Sequence, residues 1–176
     1  MAATFTWLQD NGAATGSPAH GTTQGATTTD CNWKNIDDAT SAITAFPITA
    51  GNNSYEKFIY GEFSGTFTTI SNGLFAHTAG TFGTGLTLKG AVTTTYTTPS
   101  TTTNSALTTD VTSAISIGSG LTVLFVGTGP QTASPGSSCS TNPCFTQYVV
   151  TQLQTSSSAA AGATASATLT LSYDES

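Results

Sequence analysis

The chain is 176 residues long, 37% apolar and only 7% charged, with a formal net charge of -6 and just three cations, Lys34, Lys57 and Lys89, none of them arginine. That length points to one domain with a core large enough to stand without staples. The shortage of cations excludes a footprint for phosphate backbones or anionic lipid, so neither nucleic acid nor a membrane surface is expected as a partner.

Threonine alone makes up about a fifth of the chain, and its branched Cβ suits a pleated ladder better than a helix. The Leu, Glu, Lys and Ala mixture of a long amphipathic helix is missing, so the expected class is all-β. The opening "MAATFTWLQDNG" has no basic start and no apolar core, which predicts synthesis in a cytoplasm without secretory export. No run approaches the ~18 apolar residues of a membrane span.

In chain order, Thr4–Gln9 alternates Phe5 and Trp7 against threonines and reads as a strand, closed by a turn at Asp10–Gly12. Residues 13–30 are mostly Gly, Thr, Ala and Ser with one Pro and one His, too poor in apolar side chains to build core. They read as an extended arm, giving residues 1–30 as strand plus arm and 31–176 as the sandwich domain. Strands are expected around 32–36 and 42–48, with "NIDDATSAI" able to form one helical turn.

The segment Ser54–Ser64, "SYEKFIYGEFS", places Glu56, Phe58, Tyr60 and Glu62 on one face and Tyr55, Lys57, Ile59 and Phe63 on the other. Both faces are therefore covered, by another part of this chain or by a neighbouring subunit. A strand at 65–70, a turn at Ser71–Gly73, a short strand at Leu74–His77 and a well-alternating strand at 86–97 follow. Leu121–Gly127, "LTVLFVG", is the most apolar run and reads as the central buried strand. The next eighteen residues hold three of the six prolines and form a long loop. Strands at Phe145–Leu153 and Ala167–Tyr173 complete about eight to ten, which fits a single-domain antiparallel β-sandwich or jelly roll with long loops.

No template for chemistry is met. Along a strand Glu56 and Glu62 stand ~20 Å apart, against the ~5–9.5 Å of paired glycosidase carboxylates. Ser64 in "GEFSG" has the wrong spacing for a nucleophile elbow, and no glycine-rich phosphate loop or His-Glu-x-x-His occurs. His20 and His77 have no metal-ligand spacing, so no metal, cofactor or catalytic residue is assigned and a non-enzyme is expected. Cys139 and Cys144 flank "STNP"; a disulfide and a pair of free thiols both fit that spacing, and cytoplasmic synthesis favours the thiols. Cys31 reads as a small buried residue. Exposed Trp7, Trp33 or Tyr60 would suit stacking on a sugar ring, and core packing is the competing role.

The unsupported arm, the long loop and the doubly covered strand point together to an assembly, with Trp7, Trp33, Tyr55, Phe58, Tyr60 and Phe63 as candidate interface residues. The block "ITAGNNSYEKFIYGEFSGTFTTISNGLFAHTAGTFGTGLTLKG" and the ending "ATLTLSYDES" resemble small auxiliary virion proteins of tailed bacteriophages, of the capsid decoration (cement) type. The resemblance implies a non-catalytic β-rich subunit, often a trimer, on the outer capsid surface. Its implied partners are the major capsid protein and like subunits. A host-surface glycan-recognition module and a tail or neck component are the alternatives.

Overall fold

The computed structural model describes residues 2–28, 30–115, 119–160 and 166–176. Their strands, in chain order, are β1 (Ala3–Thr15), β2 (His20–Thr27), β3 (Lys57–Gly65), β4 (Ile70–Gly80), β5 (Leu86–Thr93), β6 (Thr109–Asp110), β7 (Leu121–Val123), β8 (Phe125–Val126), β9 (Ser138–Cys139), β10 (Cys144–Thr146), β11 (Tyr148–Thr155) and β12 (Ala167–Glu175). All pair antiparallel, in two sheets. The larger runs β2-β1-β3-β11-β5-β6, with β10 between β3 and β8; the smaller runs β12-β4-β7, with β9 beside the start of β4. The chain is an all-β antiparallel sandwich.

β3 is the middle of the larger sheet, and alternation along it decides the layering. Ile59 and Phe63 point inward and meet Ile70, Phe75, Val123, Phe125 and Leu171 in the space between the sheets. Phe58 and Tyr60 point outward, where Leu8, Tyr148 and Val150 join them and Tyr96 and Leu107 close over the top. The second face is therefore covered by the chain's own 94–108 segment, a third layer on the sandwich. Phe58, Tyr60 and Phe63 are at most 6% exposed and serve the core, which removes them as interface residues. Burying side chains of this size contributes ~1.5–3 kcal/mol each. Gly61 is required here for space, because a Cβ on it would lie 2.5 Å from the Phe5 ring.

Several sequence expectations change. The stretch read as an arm folds back as β2, forming a hairpin with β1 whose register shifts twice, between Gln9 and Asn11 and between Asn11 and Ala14. Gly12, at φ 89°, sits within the second irregularity rather than in a turn. β1 itself pairs with β3 along eight positions, from Ala3↔Gly65 to Asp10↔Phe58, so the N-terminal segment belongs to the sandwich. Residues 32–48 form no strand; backbone bonds such as Asn35 N–H to Phe46 O at 2.9 Å hold them as irregular structure. The predicted turn at Ser71–Gly73 lies inside β4, accommodated by a left-handed Asn72 at φ 56° and a register shift opposite Ser172 and Asp174. "LTVLFVG" divides into β7 in one sheet and β8 in the other, so it is a corner where the chain changes sheets.

Candidate functional site: the Trp7–Trp33 cleft

Trp7 on β1 and Trp33 in the irregular 30–56 segment line one cleft of about 110 Å³. Ile59, Phe75 and Leu169 form its apolar walls, and Thr28, Asp30 and Cys31 supply the polar atoms. Each indole is fixed from behind. Trp7 meets Phe5 and Phe75 edge-on at 5.0 and 6.1 Å between ring centres. Trp33 packs edge-on to Phe82 at 5.9 Å, and its Nε1–H donates to Thr151 Oγ1 at 3.2 Å. Both rings are half-buried, which leaves part of each available to a ligand. Burial pushes the Cys31 thiol up to about 12, against the opposing pull of Lys57, so it stays a thiol at neutral pH and is not an activated nucleophile. Tyr55 is half-buried and does not line the cleft; its backbone N–H donates to Lys34 O at 3.1 Å.

A buried polar cluster lies close by. Lys34 and Lys57 are each 1% exposed. The Lys34 ammonium pairs with Asp38 and donates to Ser41 O at 2.6 Å; Lys57 Nζ donates to Asp38 O at 2.9 Å. Burial opposes ionisation of Asp38, but donors from Lys34 and Ser41 outweigh it and hold this carboxyl below the usual carboxylate range. Burial lowers Lys57 from the ordinary lysine value, and Asp37 partly restores it. Asp37 in turn accepts from Asn11 Nδ2 at 2.8 Å and from the Gly12 amide at 2.6 Å, which ties this segment to the second irregularity of the hairpin. Gln9 Oε1 and Asn11 Oδ1 are buried and accept no hydrogen bond among the described residues.

On the outer face of the larger sheet Asp10 is 1% exposed. Its carboxylate accepts from the Tyr148 hydroxyl, from Tyr60 Oη at 3.3 Å and from the Gly25 amide at 3.0 Å. Gln131 Nε2 donates to Tyr148 Oη at 2.8 Å, linking the long loop to the same cluster. Glu56, 3% exposed, accepts from Ser100 N at 3.2 Å and Asn104 Nδ2 at 2.6 Å and thereby anchors the covering segment. Gln152 does the same through Ser100 O and Thr102 O. Both oxygens of Glu56 are thus engaged in holding structure.

Sequence reasoning placed Trp7 and Trp33 among the functional candidates, and the fold brings them together. It missed Asp10, Asp37, Asp38 and the two buried lysines. The available signal was context: in a chain with three lysines, "CNWKN" and "YEKFIY" set two of them among aromatics. His77 is 1% exposed, with ring nitrogens against Thr112 O and Ala79 O at 2.9 and 2.8 Å. A separate groove of about 370 Å³ is lined by Asn35, Asn52, Asn53, Thr101 and Thr103, with no charged or aromatic side chain. No family model, no curated protein and no solved structure matches this chain.

Proposed function

We propose that this chain is a non-enzymatic structural subunit of a tailed-phage virion, seated on the outer capsid surface by contacts with the major capsid protein and with like subunits, as a trimer. The observation that carries the reading is the state of two long sheet edges, one on each sheet. Among the described residues β2 pairs only with β1, and β12 only with β4. Neither edge strand, "HGTTQGAT" or "ATLTLSYDE", carries the lysine or proline with which free monomers usually protect an edge. Such edges suit strand addition from a neighbour, in which main-chain hydrogen bonds supply affinity. The contact residues are then edge threonines, in place of the aromatics that the core has taken.

Particle stoichiometry is the first test: hundreds of copies on the shell are expected, and a few copies at a vertex or tail would overturn the capsid assignment. The second test places lysine on each edge, Thr23→Lys and Thr168→Lys, at exposed positions. Both variants should fold and lose particle binding; full occupancy by both would refute edge pairing. One observation favours a second reading, glycan recognition, namely that Trp7 and Trp33 share a cleft with Asp30 and Thr28 at its polar atoms. Glycan-array binding abolished by Trp33→Ala, with the fold retained, would support it over decoration.

A further inference from the structure

Cys139 and Cys144 end up in different sheets. β9 pairs with β4 through Ile70↔Cys139, and β10 pairs with β3 through Cys144↔Phe63. The chain crosses from the larger sheet to the smaller between Gly65 and Ile70, and it crosses back between Cys139 and Cys144 alongside. Asn142 Nδ2 donates to Gly65 O and holds the two crossings together. Both cysteines belong to one buried cluster in the inter-sheet core, 8% and 0% exposed, with four residues between them in the chain and facing each other from opposite sheets across the crossing.

We propose that Cys139 and Cys144 form a dithiol that closes to a disulfide on transfer to an oxidising medium, clasping the two sheets at this crossing. Cys139 is the more accessible sulfur and reacts first. Its thiolate attacks one sulfur of a small-molecule disulfide, such as oxidised glutathione, and one small thiolate leaves with a proton. Cys144 then gives up its proton and attacks the Cys139 sulfur; the protein S–S bond forms and the second small thiol departs. Two protein thiols lose two electrons and one small disulfide gains them.

Burial, with the neighbouring Cys139 thiol adding to it, pushes Cys144 above the ordinary thiol range. Closure in the folded chain is therefore slow at neutral pH and faster in mild alkali. Cys31 belongs to the Trp7–Trp33 cleft and takes no part.

The test uses the full chain, incubated with oxidised or reduced glutathione, then denatured, alkylated and peptide-mapped. After oxidation the expected product is lighter by the two hydrogens lost, alkylated at Cys31 alone, with Cys139 and Cys144 in one linked peptide pair. Its thermal midpoint should exceed that of the reduced chain, and added reductant should reverse the shift. Alkylation of all three cysteines after oxidation overturns the proposal, as does a linkage to Cys31 or a glutathione adduct that persists on Cys139. An unchanged midpoint in a chain shown to be linked overturns the clasp.

Discussion

Replacing Asp10 by alanine removes the acceptor at the centre of the Tyr60, Tyr148 and Gly25 cluster. The charge-assisted Tyr148 bond should be worth about 1.5–3 kcal/mol, and the Gly25 amide and the longer Tyr60 bond about 1 kcal/mol each. No ammonium pairs with Asp10 among the described residues, so deleting the carboxylate also relieves a desolvation cost and trims the loss. The expected net loss for Asp10→Ala is about 3–5 kcal/mol, a large share of the ~5–15 kcal/mol that holds a typical domain. Tyr148→Phe alone should cost about 2–3 kcal/mol, since it removes that bond and strands one carboxylate oxygen and the Gln131 amide. In the double variant the bond is absent from both sides, so the two losses should fall short of additivity by about 1.5–3 kcal/mol. Urea unfolding followed by far-UV dichroism measures all three. A loss below about 1 kcal/mol for Asp10→Ala, or strict additivity, would refute the assignment of Asp10 as the organising acceptor.

Deleting residues 2–27 should leave a chain that does not fold, because β1 supplies Leu8, Asp10 and Trp7 and pairs along β3; a cooperative melting transition in the truncated chain would count against this. Glu56→Ala should cost about 2–3 kcal/mol through the released Ser100 and Asn104 donors, with faster hydrogen exchange confined at first to residues 97–108. Phe63→Ala, at a fully buried position between the sheets, should cost about 3–5 kcal/mol by thermal or urea unfolding. Stability should also fall in alkali. Burial raises Cys31 from 9.0 to about 12 and raises the Tyr60, Tyr96 and Tyr148 hydroxyls above 10.0, with Asp10 contributing to all three tyrosines. The unfolded chain loses those protons first, so their contribution is whole below pH 9.0 and declines as pH climbs past 10.0. Lys57 acts in the opposite sense, since its lowered value lets stability rise toward 10.5. Cys144, which burial also raises, joins these four, so one group opposes five and the urea midpoint should drop between pH 9 and about 11; a flat profile would contradict the burial of the tyrosines.

The all-β class and the strands with clean alternation were legible in the sequence. β5 and β12 lie where Leu86, Leu88 and Leu169, Leu171 alternate with threonine or lysine, and β3 shows its two apolar faces. What the alternation of β3 does not carry is the identity of its cover. Tyr96 and Leu107 lie some forty residues away in a polar, threonine-rich stretch, so the sequence leaves open whether this chain or a neighbouring subunit covers Phe58 and Tyr60. β2 was missed for a related reason. "HGTTQGAT" has no periodicity of its own, and its place is set by bulges in β1 and by the Gly25 amide on Asp10. Residues 32–48 err the other way. Their apolar spacing imitates strands, but Lys34 donating to Ser41 O, Asp38 accepting from the Thr40 and Ser41 amides, and the loop carbonyls satisfy the backbone locally. The Trp7–Trp33 cleft was half legible: the indoles stood out by type, and only the fold makes them neighbours.

The inward placement of charge has a consequence for any association this chain enters. With Lys34, Lys57, Glu56 and Asp10 inside, the ionic groups left on 8272 Å² of surface are chiefly Asp30, Glu62, Lys89, Asp110, Asp174 and Glu175. Lys89 and Asp110 offset each other as a pair at 3.4 Å, and the field of the few carboxylates left is damped over the ~8 Å screening length of physiological salt. Docking then gains little from long-range steering, and its rate should sit in the unsteered range of ~10⁵–10⁶ per molar per second. Raising ionic strength should leave both the rate and the affinity almost unchanged. A subunit built this way would grip its neighbours as firmly in fresh water as in brine.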